Sequence, residues 1–285
     1  MHTQHARLLG LAGRTADGWL TVAREALADG DHDQLERLFS ALGQIDQVAE
    51  AHRFTPPEDP GDDTDHALLE AIITHPVTAC WRTMRGGVDA VYLVQAQDGA
   101  DQAAIAAIAQ RTLGARGELA PRVEVFAPDT VLPAYHEAAL RSATLLWTED
   151  EAVPVRVART FDGVSPDGGP YFSPSRELVV AADQRQRLLD FLAGGEVVLR
   201  VPGGLDDVLS PSAEPVPVDM RSDGVWVWSD ATRHYLDRYL VSPDPELVAH
   251  AASASGGRHL THLDRYRVRA ALTPEGEEGQ LWRAG

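Results

Sequence analysis

The groups best able to move protons or hold a metal ion gather toward the end of this 285-residue chain. His250, His259, His262 and Asp264 fall within "HAASASGGRHLTHLD", where His259 and His262 stand three apart and could share a helical face, a spacing used by metal ligands. Such a pair lacks the further ligands of a closed site, so His259 and His262 remain weak metal candidates, and no metal or other cofactor is expected. Cys80 in "VTACWRTM" has only His75 nearby as a base that could activate its thiol, and reads as a small buried hydrophobe. The loop "FDGVSPDGGPYFSPS" offers Asp162, Asp167 and Tyr171, although the turn chemistry of Asp, Gly, Pro and Ser explains its composition by itself. "RSDGVWVWSDATRHYLDRYL", residues 221–240, adds Trp226, Trp228 and His234. The aromatics of 221–240 read first as core, brought together by strand, cap and helix; with that alternative beside it, these six residues form the candidate ligand or partner surface, and no catalytic residue is assigned.

What is missing narrows the chemistry. All 25 basic residues are Arg, and the chain contains neither Lys nor Asn. The wealth of Ala, Arg, Asp, Gly and Pro agrees with GC-rich coding as the cause. Without Lys there is no Schiff base to pyridoxal phosphate, no P-loop lysine and no kinase-type lysine. No Gly-x-Ser-x-Gly elbow and no His-Glu-x-x-His motif occurs. A formal charge of −18 opposes binding to nucleic acid or anionic membranes, because affinity for both depends on clustered basic residues. The single cysteine excludes an internal disulfide. With no long apolar run and no leader pattern in "MHTQHARLLGLAGRTADGW", a cytoplasmic location is expected.

Periodicity places these residues on elements. "DGWLTVAREALADG" and the series Leu35, Leu38, Phe39, Leu42, Ile45 and Val48, after the caps Asp31 and Asp33, predict helices, so residues 1–53 read as a helical module. The Pro-rich, acidic residues 54–65 read as a linker. A central α+β region follows over 66–160: a helix in "HALLEAIIT", two strands joined by "RGG", a helix in "ADQAAIAAIAQRTLGARG", the strand "RVEVF", a helix in "LPAYHEAALRSA" and the strand "TLLW". A second α+β region over 161–272 contains a helix in "DQRQRLLDFLAGG", a strand in "EVVLRV", a hairpin of "PVPVDM" with "VWVW", and helices after Ser229 or Asp230 and after Asp244. Alternation puts Trp226 and Trp228 on one face of the strand and Val225 and Val227 on the other. Residues 273–285 read as a polar tail. The expected class is α+β, a helical module followed by mixed sheets.

The order "VYLVQA … VEVF … LPAYHEAALRSATLLW", followed by "RSDGVWVWSDATRHYLDRYL" and "PDPELVAH", resembles uncharacterised actinobacterial proteins that share a C-terminal module with the Asp-Gly, Trp and Pro-Asp-Pro-Glu-Leu signatures. The resemblance brings no established activity and no catalytic residue. What it implies is an immunity or regulatory role.

Two functions follow as expectations. The first is a protein-interaction module whose acidic surface attracts a basic protein partner. The second is an enzyme or small-ligand sensor with a cleft between the central and C-terminal regions, where Asp162, Asp167, His234, His250 or His259 would meet other polar groups.

Overall fold

The computed structural model describes residues 2–42, 52–151, 153–166, 168–210, 214–254 and 259–273. Ile45, Val48 and the tail from residue 274 lie outside them, and only Thr273 of the predicted tail is described. The fold is α+β, as its sequence predicts. The chain divides into two compact units, residues 1–151 and 152–285.

The first unit begins with three helices, α1 (His2–Leu11), α2 (Asp17–Ala28) and α3 (His32–Ala41). Asp31 caps α3 by accepting the Gln34 N–H at 2.8 Å, and Gly30 makes the turn between α2 and α3 with a φ of +71°. Leu8, Leu20, Ala23, Leu27, Leu35 and Phe39 form a core with Ala103, which lies on α5 (Gln102–Ala115). The three helices thus belong to the body of this unit, not to a separate module.

Residues 54–65, expected as a linker, hold two structural elements. β1 (Phe54–Thr55) pairs with the end of β2 (Val77–Arg85), and Asp62 caps α4 (Asp63–Ile72) by accepting the Thr64 and Asp65 N–H groups. The acidic residues here find partners in the fold: Asp62 and Asp65 both accept hydrogen bonds from Arg82, and buried Asp65 also accepts the Tyr92 hydroxyl at 2.7 Å. β2 turns through Gly86 and Gly87, both at positive φ, into antiparallel β3 (Asp89–Ala96). Helix α5 then returns the chain to β4 (Arg122–Phe126), parallel to β3. After α6 (Ala134–Arg141), β5 (Thr144–Thr148) shares the far side of β2 with β1. Leu68 and Ile72 of α4 and Ile105, Ala106, Ala109 and Leu113 of α5 cover one face of the sheet, over Cys80, Tyr92, Val94, Val123 and Val125.

The second unit opens with β6 (Arg156–Val157), which pairs in parallel with β11 (Trp226–Ser229). That pairing ties residues expected in the central region to the C-terminal one, so the division falls at 151/152. A small hairpin, β7 (Gly163–Ser165) and β8 (Gly169–Tyr171), stands in the loop at 161–175. α7 (Ala182–Gly194), β9 (Glu196–Leu199), β10 (Met220–Ser222), β11, α8 (Asp230–Tyr239), α9 (Pro245–Ser253) and α10 (His262–Leu272) follow, with sheet order β6-β11-β10-β9. β10 lies later than "PVPVDM" suggested: Pro215 and Pro217 have no N–H for the ladder, Val216 between them bridges Leu205 instead, and pairing with β11 starts at Met220. Ser229 caps α8, and Asp244 with Pro245 starts α9.

Trp226 and Trp228 share a core with Leu188, Leu192, Leu236 and Leu247, while Val227 between them is fully buried as well. The strand is therefore covered on both faces. Gly195, between α7 and β9, lets the backbone lie against the Trp228 ring: a Cβ there would fall 2.3 Å from Trp228 Cζ2. Gly195→Ala is expected to destabilise this unit by about 1–3 kcal/mol through overpacking. Urea unfolding followed by tryptophan fluorescence checks it, and an unchanged midpoint would refute the close packing.

Candidate functional site

Besides the Asp62, Asp65, Arg82 and Tyr92 group, four clusters of titratable side chains among the described residues bear on function, and burial separates holding roles from chemical ones. The most enclosed is in the first unit. Glu124 of β4 points away from the Val123 and Val125 face, and its Oε2 accepts hydrogen bonds from Arg24 Nη2 at 2.6 Å and His136 Nε2 at 2.9 Å. All three side chains are at most 3% exposed. One residue further along β4, His5 Nε2 donates to the Val125 carbonyl at 2.7 Å. Burial alone pushes the Glu124 carboxyl upward, but Arg24 and His136 overcome it and hold the pKa at about 2. Burial lowers the His5 pKa, and the Val125 carbonyl opposes that only in part. With no exposed face, the cluster fastens α1, α2 and α6 to β4. Asp17, Arg85, Asp89 and Arg122 form a second network on the same unit.

In the second unit, buried Asp207 uses one oxygen to accept the Tyr239 hydroxyl at 2.6 Å and His234 Nε2 at 3.1 Å, and the other for the Leu209 and Ser210 N–H groups. Burial raises its pKa, but these donors outweigh it and the pKa lies below the usual carboxylate value. The loop around Asp207 is thereby pinned onto α8.

The fourth group borders open space. Asp223 Oδ1 accepts the N–H groups of Val225 and Trp226, building the turn between β10 and β11, and Gly224 completes it at φ +91°. Asp223 Oδ2 accepts His250 Nε2 from α9 at 2.5 Å. His250 packs edge-on against Phe191, and its ring centre is 6.3 Å from that of Trp226. Beside it lies a pocket of about 410 Å³, of the size that holds small ligands, lined by Arg156, Trp226, Glu246 and His250 with Val153, Pro154, Val225, Ala249 and Ser253. Arg156 Nη1 donates to Glu246 Oε2 at 2.7 Å, and its guanidinium carbon lies 5.5 Å from the centre of a Trp226 ring. This pocket is the candidate site.

The residues singled out in the sequence scatter around it. Trp226 forms part of the pocket wall. Trp228 is wholly buried, its indole donating to the Leu192 carbonyl at 3.1 Å, and it offers a ligand no surface. His234 belongs to the Asp207 group. Asp162 accepts the Ser173 N–H and Arg176 Nη1, and so braces its loop. Tyr171 is half exposed, with its ring against Gly163. Asp167 lies outside the described residues. His259 is exposed with Nδ1 3.4 Å from Glu196, and His262 is buried at the start of α10. Among the described residues no three His, Cys, Asp or Glu side chains are placed to hold a metal ion. Cys80 is buried, and desolvation raises its pKa, so the thiol stays protonated. Arg156, Asp223 and Glu246 were not singled out in the sequence. Asp223 stood in a recognisable turn, but nothing local announced its histidine partner.

Replacing the buried Glu124 leaves Arg24 without its counter-charge, so Glu124→Gln is expected to cost about 3–5 kcal/mol in urea unfolding. The pH dependence has a definite sign. Glu124 titrates near 4.5 unfolded and at about 2 folded, so the unfolded chain takes up the proton first. Its stabilisation is complete above about pH 4.5 and is lost as pH falls from there toward 2. Thermal melts across that window should show a decline that Glu124→Gln flattens, and parallel curves for the two proteins would contradict it.

In comparisons with known proteins, the chain matches no family model, no curated protein and no solved structure.

Proposed function

We infer that the chain is a cytoplasmic protein-interaction module of immunity or regulatory type that binds a basic protein partner. The observation that carries this is the distribution of charge. Residues 1–151 contain 24 Asp and Glu against 11 Arg, a formal −13 of the chain's −18. The least exposed arginines there, Arg24, Arg82, Arg85 and Arg122, are engaged by Asp and Glu within the fold. The acidic excess therefore lies at the surface: Glu58, Asp59, Asp63 and Glu70 are exposed on α4 and the loop before it. A field of one sign speeds encounter with an oppositely charged partner and weakens as salt screens it. No helix among the described residues is long and apolar enough to cross a membrane.

A second reading, an enzyme or small-ligand sensor, is favoured by the Asp223–His250 pair at the edge of the pocket. One experiment separates them: capture of partners from source-cell lysate at low and high salt, with mass spectrometry of retained proteins and small molecules. The expected outcome is a basic protein held at low salt, released at high salt, and lost from a variant carrying Glu58→Arg, Asp63→Arg and Glu70→Arg. Retention of that protein by the charge-reversed variant would overturn the interaction reading. A small molecule retained without a protein would turn the assignment to the second.

A further inference from the structure

The pocket between β6, the start of β11 and α9 already holds a guanidinium of the chain itself. Arg156 reaches along the Trp226 ring and ends on Glu246, so a guanidinium lies between an aromatic face and a carboxylate. Those two surfaces are complementary to a cation: the ring face is electron-rich and the carboxylate supplies charge and geometry. Arg156 is held there lightly, since its side chain is 59% exposed and that of Glu246 71% exposed. An exposed ion pair of this kind contributes little net stability, so another cation can take its place.

The remaining walls favour a cation over an anion. If Arg156 swings out, Glu246 is the carboxylate left among the lining residues, and Asp223 stands behind the His250 ring, bonded to its Nε2. Val153, Pro154, Val225 and Ala249 supply apolar surface for the methylene stem of a long basic side chain. An anion bound to Arg156 would sit beside Glu246 and be repelled.

We propose that this pocket binds an arginine side chain of the basic partner, and that Arg156 occupies it in the free protein and competes with the incoming guanidinium. The proposal rests on the basic-partner reading and adds to it a residue type recognised and one contact on the second unit, in addition to the acidic surface of the first.

The test uses the full chain and a probe that does not require the partner. Nα-acetyl-arginine methylamide is titrated into the ¹⁵N-labelled protein while the tryptophan indole signals are followed, with the uncharged citrulline analogue as the control. Saturable shifts with the arginine probe alone are expected. Glu246→Gln should weaken binding about fivefold, the scale of one exposed ion pair, and Arg156→Ala should tighten it by a similar factor because the internal competitor is gone. Both positions are exposed, and thermal melts matching the parent establish that the variants fold. Equal response to the citrulline probe, an unaffected Glu246→Gln or an Arg156→Ala that binds no tighter would each overturn the proposal, as would no saturable response at all. The titration reads only this pocket and the salt-dependent capture reads only the partner, so failure of one is distinguishable from failure of the other.

Discussion

A carboxylate with no exposed face, placed between a guanidinium and an imidazole, organises the first unit. Glu124 can remain ionised away from water only while Arg24 and His136 stay within hydrogen-bonding distance. That requirement fixes α2 and α6 relative to β4. Apolar packing alone, such as Leu20, Ala23 and Leu27 with Ala103, would tolerate small slides of a helix. A buried ionic hydrogen bond tolerates far less, because its energy falls steeply with distance and angle.

In the second unit, aromatic packing and turn chemistry stand beside the carboxylates of Asp207 and Asp223. Trp228 fills the space under α7, and Gly195 is bare because that ring needs the room. Ser222 and Asp223 act as extra backbone at the β10–β11 turn, with Ser222 Oγ donating to the Trp226 carbonyl and Asp223 accepting two N–H groups. Asp223 therefore shapes the turn with one oxygen and orients His250 with the other. The pocket inherits its geometry from a rigid hairpin on one side and the first turns of α9 on the other.

Much of this architecture was legible in the sequence, and the division follows the range of the interactions involved. Asp31, Ser229 and Asp244 announced their helices, since a cap and its target N–H groups lie within three residues. The Arg-Gly-Gly turn announced β2 and β3 for the same local reason. "PVPVDM" misled because alternation outweighed the two prolines. Residues 54–65 misled because their acidic composition describes a linker equally well until Arg82 and Tyr92 are brought in from β2 and β3. At the candidate site, Trp226 and His250 were visible as residue types, but Asp223 lies 27 positions from His250 and Arg156 lies 90 from Glu246. Such pairings exist only once the sheet and α9 have formed, and no local pattern encodes them.

The hydrogen bond from His5 to the Val125 carbonyl has a consequence for how the molecule keeps to itself. Among the described residues β4 pairs with β3 along one side only, and an unpaired strand edge is a template on which another chain can add a strand. α1 places an imidazole on one of the outward carbonyls of that edge, and α2 places Arg24 against the side chain of the preceding residue. The N-terminal helices therefore serve as a guard against edge-to-edge association.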